Sequence, residues 1–431
     1  MAHILCMTSG LTGLLNASFE MVRRLRDDGH RVTYACPQDV RHAVRAQGID
    51  YIQLGSVNFD PAPPAPGGRI FARFTRKPTS ATRRVAGVAA LGMDAFRKTL
   101  ADLAPDLVLI DSELYEHIFT LYAMGTPHVL VSPFFAQWPG RGLPPLATAF
   151  LPDNASAIDA HIANRAEQIQ EVSDKNLYTE RRSVLLEYAR SVNYPVDALE
   201  QHAGLTMFVN TRQPTLLLTA QELDFEHRVP EHVHYVGPMV SEQRVETSVS
   251  KDDQVRLDAV LNNLEGPLIY CPLSTMDVGD NGLATHLIRA VTSQPDWTLI
   301  IAGAPADAAL PTAPNVHVFG YVAQTDVLPR VSACVTLAGM NTVHEALLAD
   351  VPLLAYPMHY DQPGVAARLE SKGLALVGKP DDDASVIASR LQTLMNDQPL
   401  RSRLAGYRDM LVSYAERRVL ENAITASLVT R

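Results

Sequence analysis

A chain of 431 residues is long enough for two or three ordinary domains, and 47% hydrophobic with 19% charged residues is the composition of a globular protein with more than one core. A formal net charge of -10 argues against nucleic acid as the main partner, because neutralising phosphates needs a basic face. It leaves a nucleotide open, since backbone N–H groups and helix dipoles can hold one. Cys6, Cys36, Cys271 and Cys334 show neither CxxC nor metal-ligand spacing and are expected as buried, reduced thiols. The first residues, MAHILCMTSGLTGLL, lack a basic n-region and run into an amphipathic helix, so they do not read as a signal peptide. No apolar run is long enough to span a membrane, and a cytoplasmic location is expected.

In chain order, the first half alternates strands and helices. HILCMTS predicts a strand; NASFEMVRRLRDDGH predicts a helix, with Phe19, Met21, Val22 and Leu25 on one stripe and Gly29 as its stop. RVTYACP, DLVLIDS and HVLVSP repeat the strand pattern around the helix YEHIFTLYAMG. Strands separated by helices imply βαβ units and a parallel sheet. Residues 60–84 are Pro/Gly-rich and basic and read as a mobile loop, and FFAQWPGRGLPP (134–145) as an aromatic, Pro-rich one. Helical stretches follow, and TLLLTAQELDF and VHYVGPM close a first domain at 1–239. The polar stretch 240–254 reads as a linker. The alternation restarts over 255–405 with PLIYCPLST, WTLIIAG, VHVFGY, ACVTLAG and PLLAYP, and a final helix over 406–431 is expected to pack across both domains. The fold class is therefore α/β, with two facing, doubly wound, Rossmann-like domains. Such domains place ligands at the carboxyl ends of their strands.

Residues 333–364, ACVTLAGMNTVHEALLADVPLLAYPMHYDQPG, carry the densest chemistry. After ACVTL come Ala338, Gly339, Met340, Asn341 and Thr342, and then a helix. Small residues let backbone N–H groups approach an anion, and a helix N-terminus favours negative charge. Asn341 and Thr342 add side-chain donors, and Glu345, one turn on, is placed to accept from a ribose hydroxyl pair. Asp361 and Gln362 follow the next strand, a carboxylate beside a carboxamide that suits sugar hydroxyls. Each residue alone has an ordinary explanation as a cap, a solvated face or a loop. Their ordered combination across two successive βα turns carries the reading.

This half resembles the nucleotide-sugar glycosyltransferases of family 1, especially the bacterial natural-product, macrolide-type enzymes. Tyr321 stands where that family has a base-stacking tryptophan, Gln324 matches its glutamine, and Asn341, Thr342, Glu345, Pro352, Pro357, Asp361 and Gln362 match in order and spacing. YCPLST occupies the place of the phosphate loop through Ser274 and Thr275, and VHYVGP looks like the segment before the linker. The resemblance implies the GT-B architecture, a UDP- or TDP-sugar held mainly by the second domain, and inverting transfer without metal or cofactor to a small-molecule acceptor, by a monomer or homodimer.

Two departures stand out. Leu337 replaces the histidine that contacts the donor diphosphate, and Ala338 the first glycine beside it. The family's acceptor-side Gly-His-x-x-Pro run is matched by GLLNA, which puts Leu14 at the base position, while Asp111 matches the aspartate that orients that base. Leucine cannot take a proton, and a general base is typically worth about 10²–10⁴ in rate. Three accounts stand. The acceptor is already ionised; or another group at the end of DLVLI, among Asp111, Glu113, Glu116 and His117, takes the proton; or the chain is a catalytically impaired auxiliary partner. His359 is a candidate replacement contact for the donor, and His344 is expected to face away from it. Thr12, Leu14, Phe134 and Trp138 are the candidate acceptor contacts, suited to an apolar or aromatic molecule. A dinucleotide oxidoreductase is disfavoured, because TSGLTGLLNA is not G-x-G-x-x-G.

Overall fold

A computed structural model describes residues 1–55, 91–137, 143–171, 177–200, 205–241, 243–273, 282–304 and 310–429; within its helices the side chains of residues 12, 165–171 and 177–180 are also left out. The expected loop at 60–84, together with Trp138, Ser274 and Thr275, lies outside the described residues.

The first half builds the strands β1 (His3–Met7), β2 (Arg31–Cys36), β3 (Asp50–Gln53), β4 (Leu107–Asp111), β5 (His128–Ser132), β6 (Leu199–Glu200), β7 (Val209–Asn210), β8 (Thr215–Leu217) and β9 (Val233–Tyr235). Its helices are α1 (Thr12–Asp27), α2 (Arg41–Ala46), α3 (Met93–Leu103), α4 (Tyr115–Ala123), α5 (Ala155–Glu171) and α6 (Leu177–Ser191). The large sheet has the order β3-β2-β1-β4-β5-β8-β9, with every neighbour parallel. Strands covered on both faces read as continuous apolar runs, which is why Ile4 to Met7 and Leu107 to Ile110 are all buried.

The second half starts at α7 (Lys251–Asn262), capped by the Ser250 side chain, and continues with β10 (Leu268–Pro272), α8 (Gly282–Thr292), β11 (Thr298–Ala302), β12 (Val316–Phe319) and α9 (Gln324–Val327). Then come β13 (Ala333–Thr336), α10 (Met340–Leu348), β14 (Leu353–Ala355), α11 (Gln362–Ser371), β15 (Ala375–Val377) and α12 (Ala384–Asn396). Its sheet, β12-β11-β10-β13-β14-β15, is again all parallel. In both sheets the strand order reverses beside the first strand, between β1 and β4 and between β10 and β13. Ligands of doubly wound sheets bind at the carboxyl ends of such pairs.

The chain ends on two helices rather than the single one expected, α13 (Gln398–Glu416) and α14 (Val419–Val429), with the break at Arg418 in the left-handed region at φ 54. Leu411 and Tyr414 of α13 join the second half's core, and Leu420 and Ile424 of α14 join the core under β1 and β2. The second half's core also takes in Phe135, Leu146, Leu223 and Phe225 of the first, so apolar packing is continuous between the halves. No helix of the described residues is long and apolar enough to cross a membrane.

Candidate active site

The candidate acceptor-side residues sit where β1, β4 and β5 end. Asp111 is 2% exposed, and both its oxygens accept backbone bonds: Oδ2 from the Ser9 N–H at 3.1 Å, Oδ1 from the Glu113 N–H at 3.0 Å. Burial raises its pKa and those bonds pull it back. Asp111 thus ties the two loops at the strand reversal together. Leu14, in the first turn of α1, is buried and packs in the apolar core with Leu15, Val22 and Leu25, so its side chain is held by packing. Glu113 is the half-buried carboxyl beside Asp111, pushed up to about 7 first by burial and then by the negative charge of that aspartate.

The structure buries His117 to 1% exposure in the layer between α3 and α4, with its ring edge-on to Phe96 at 4.7 Å and Nδ1 3.2 Å from the equally buried Glu116. That leaves no open face for an acceptor proton. The side chain of Thr12 is not described. Phe134 is half-buried against the second half's core, and its N–H donates to the Ser132 hydroxyl at 3.3 Å. A cavity of about 40 Å³ lies at the ends of β4 and β5, lined by Ser112, Ser132, Phe135, Gln137, Thr206 and Phe208 among others. It is far below the few hundred Å³ of ordinary ligand sites.

The candidate donor-side residues gather after β12, β13 and β14. The Gln324 side-chain NH₂ donates to Glu345 Oε2 at 2.5 Å and, more weakly, to the Thr342 hydroxyl at 3.4 Å, while the Tyr270 hydroxyl donates to its carbonyl oxygen at 3.2 Å. Burial raises the Glu345 pKa, and Arg244 and Gln324 oppose that rise. The turn into α10 keeps a glycine-like shape without the glycine: Ala338 has φ 65, and its N–H donates to the Thr336 hydroxyl at 3.1 Å. A left-handed alanine is strained, and such strain clusters at ligand-binding turns. Leu337, expected at the diphosphate on the resemblance alone, packs into the core, 7% exposed. Gly339 is the N-cap of α10, with open space where a Cβ would be.

In the next turn, the Gln362 carboxamide oxygen accepts from the N–H groups of Met358 and His359 at 2.9 and 3.2 Å, so the oxygen end is used internally. His359 is half-buried against the Tyr360 ring at 4.8 Å, and Tyr360 itself has φ 55. Burial pushes the Asp361 carboxyl up to about 6.

The two sides meet. The Asn341 NH₂ donates to the Gly13 carbonyl of α1 at 2.8 Å, and the Gly364 N–H donates to the Leu146 carbonyl at 2.9 Å. His344 points the other way, with Nε2 2.9 Å from the Thr219 hydroxyl, and burial pushes its pKa down to about 4.

Two residues of the polar stretch between the halves escape sequence reading. Arg244 lies 3.4 Å from Glu345 Oε1, and Glu246 accepts from the Tyr321 hydroxyl at 2.8 Å. Two charges flanking a valine in a polar segment give no periodic signal, and only the folded chain brings them to the donor residues.

Residues 307–401 match the family described as UDP-glucoronosyl and UDP-glucosyl transferase. The chain is 25% identical over 407 residues to the zeaxanthin glucosyltransferase of Pantoea ananas, covering 92% of this chain and 88% of that protein. It is 24% identical over 442 residues to the oleandomycin glycosyltransferase of Streptomyces antibioticus, covering 100% and 92%. Among solved structures, the glycotransferase of kitacinnamycin superposes with TM-score 0.69 at 18% identity, over 99% of this chain and 98% of that one. The calicheamicin glycosyltransferase CalG4 superposes with TM-score 0.63 at 19% identity, over 99% and 98%. The fold is that of the GT-B glycosyltransferases, and the match to both curated relatives runs along nearly their whole length.

Proposed function

We propose that the chain is an inverting glycosyltransferase that moves a hexose from a UDP- or TDP-linked donor to a small apolar or aromatic acceptor without a histidine base. The observation that carries this reading is the contact group of Gln324, Thr342 and Glu345, closed onto α1 through Asn341, with Asp361 and Gln362 following β14, the strand next to β13. Tyr321 gives the base a ring to lie on, Glu345 accepts from the ribose hydroxyls, and the N-terminus of α10 meets the diphosphate. Asp361 and the Gln362 NH₂ hold the sugar. The acceptor atom attacks the anomeric carbon, the carbon–oxygen bond to the β-phosphate breaks, and the electron pair leaves with the nucleoside diphosphate.

The acceptor proton has two routes that need no histidine. A thiol, carboxylate or acidic phenol arrives ionised. An alcohol gives its proton to Glu113, whose carboxyl titrates near neutrality and lies at the β4 end. Relatives named for zeaxanthin and oleandomycin support a small-molecule acceptor.

A second reading, a catalytically impaired partner that binds sugar nucleotides, is favoured by one observation: Leu14 and Leu337 are both built into the core. Calorimetry with UDP and TDP, with and without chelator, followed by mass spectrometry of acceptor mixtures, separates the two. We expect nucleotide binding independent of chelator, together with transfer. Binding without transfer or donor hydrolysis for any acceptor class would leave the partner reading, and no binding at millimolar nucleotide would sink both.

A further inference from the structure

We propose that Arg244, in the segment joining the two halves, is a donor-positioning residue that holds the Glu345 carboxyl in place for the ribose of the nucleoside diphosphate. This rests on the donor site proposed above. The Arg244 side chain is 5% exposed, with NH1 3.4 Å from Glu345 Oε1 and NH2 2.6 Å from Glu246 Oε1. Glu246 passes the contact on to the Tyr321 hydroxyl, so one short strap touches both the ribose acceptor and the base platform. Between the two charges, the Val245 N–H donates to the Gln47 carboxamide oxygen at 3.0 Å, and the Gln47 NH₂ donates to the Val245 carbonyl at 2.8 Å. The first half thereby pins the strap at the end of α2.

A buried ion pair contributes little net stability, because desolvation offsets attraction. What Arg244 changes is the ionisation of Glu345. The groups facing that carboxyl are Arg244 and Glu246 from the strap, Tyr321 and Gln324 after β12, Tyr270 on β10, Cys334 on β13 and Thr342 on its own helix. Burial keeps the two tyrosines and the cysteine neutral, and Glu246 repels a second negative charge. Arg244 is the cation among these described neighbours. Without it, burial and Glu246 both push Glu345 toward its protonated form, which accepts fewer bonds from a ribose diol.

The sign follows. UDP binding needs the carboxylate, so it is lost as pH falls through the Glu345 pKa. Arg244→Gln raises that pKa and moves the midpoint of UDP binding to higher pH, while Glu246→Gln lowers it and moves the midpoint to lower pH. Isothermal titration of UDP and of 2′,3′-dideoxy-UDP from pH 5.5 to 9 reads both. At pH 7, Arg244→Gln is expected to bind UDP about tenfold or more weakly, with the loss shrinking as pH rises, because a lost charge-assisted bond is worth about one decade or more. Arg244→Lys keeps most of the affinity, and the dideoxy analogue binds parent and variant alike. Equal losses for UDP and its dideoxy analogue, or an unshifted pH midpoint in both variants, would overturn the proposal. If Arg244→Gln does not fold, the downward shift in Glu246→Gln still decides it. A parent chain that binds no UDP fails the donor reading itself, an outcome distinct from binding without a shift.

Discussion

Asp111, at the end of β4, accepts from the backbone of Ser9 and Glu113, and the half-buried acid beside it is Glu113. Its pKa of about 7 is raised by burial and by Asp111, and lowered only by Arg181. A base must be deprotonated to act, so transfer to an alcohol should rise with pH through about 7 and level off above it. Glu113→Gln should remove that limb and lower kcat by about 10²-fold or more, leaving UDP affinity unchanged. An acceptor series spanning several pKa values checks this. If rates track acceptor ionisation in parent and variant alike, Glu113 is not the base. At this scale the site was legible in part. Gln324, Thr342 and Glu345, which the resemblance singled out, do meet, although Gln324 follows β12 and the other two follow β13, with β11 and β10 between those strands in the sheet. Arg244 and Glu246 were not legible, because their contacts depend on where a connecting segment lies in the folded chain. The candidacy of His117 rested on nearness in sequence to Asp111, and a helix turn carries its ring onto Phe96 instead.

Among the elements, α11 ties the turn at Asp361 and Gln362 to the first half. It begins at Gln362 and carries Arg368, which is fully buried. The Arg368 Nε donates to Asp224 Oδ1 at 2.6 Å, and the guanidinium lies 5.0 Å from the Phe135 ring and 4.6 Å from the Phe225 ring. Asp224 also accepts from the Tyr235 hydroxyl at 2.6 Å. One turn earlier, a Cβ on Gly364 would lie 2.5 Å from the Leu146 carbonyl oxygen, so glycine is what allows α11 to approach that backbone. Arg368→Ala should destabilise the chain by about 3–5 kcal/mol, because it leaves Asp224 buried without its cation. Chemical denaturation measures it, and a loss below about 1 kcal/mol would mean that water reaches Asp224, as at an exposed pair. Interior strands such as β1 and β4 were legible because both faces are apolar. The edge strands β3 and β15 were not, since β3 is half-exposed and β15 has three residues, and each lacks the contrast that marks a strand.

On the scale of the whole molecule, the halves are crossed by several independent ties. Arg24 of α1 makes two bonds to Glu421 of α14, at 2.9 and 2.8 Å, both side chains under 10% exposed. The Tyr414 hydroxyl of α13 donates to Glu222 at 2.7 Å and accepts from the Gln221 N–H at 3.1 Å, while its ring fills the space beside Gly237. With the continuous core and the Asn341–Gly13 bond, neither half can lose its structure without exposing apolar surface of the other. The two should therefore unfold in a single calorimetric transition, with calorimetric and van't Hoff enthalpies in agreement. A ligand that binds only the native state stabilises by RT ln(1 + [L]/Kd), about 2.7 kcal/mol at a hundredfold excess over Kd. UDP held by the second half should accordingly slow hydrogen exchange not only in β13 and α10 but in the strands of the first half that open by global unfolding, β1 and β4 among them. The expected result is one melting peak that moves as a whole with UDP, and matching protection in both sheets. Two peaks, with UDP shifting only one and leaving β1 exchange untouched, would mean that the ties are too weak to couple the domains.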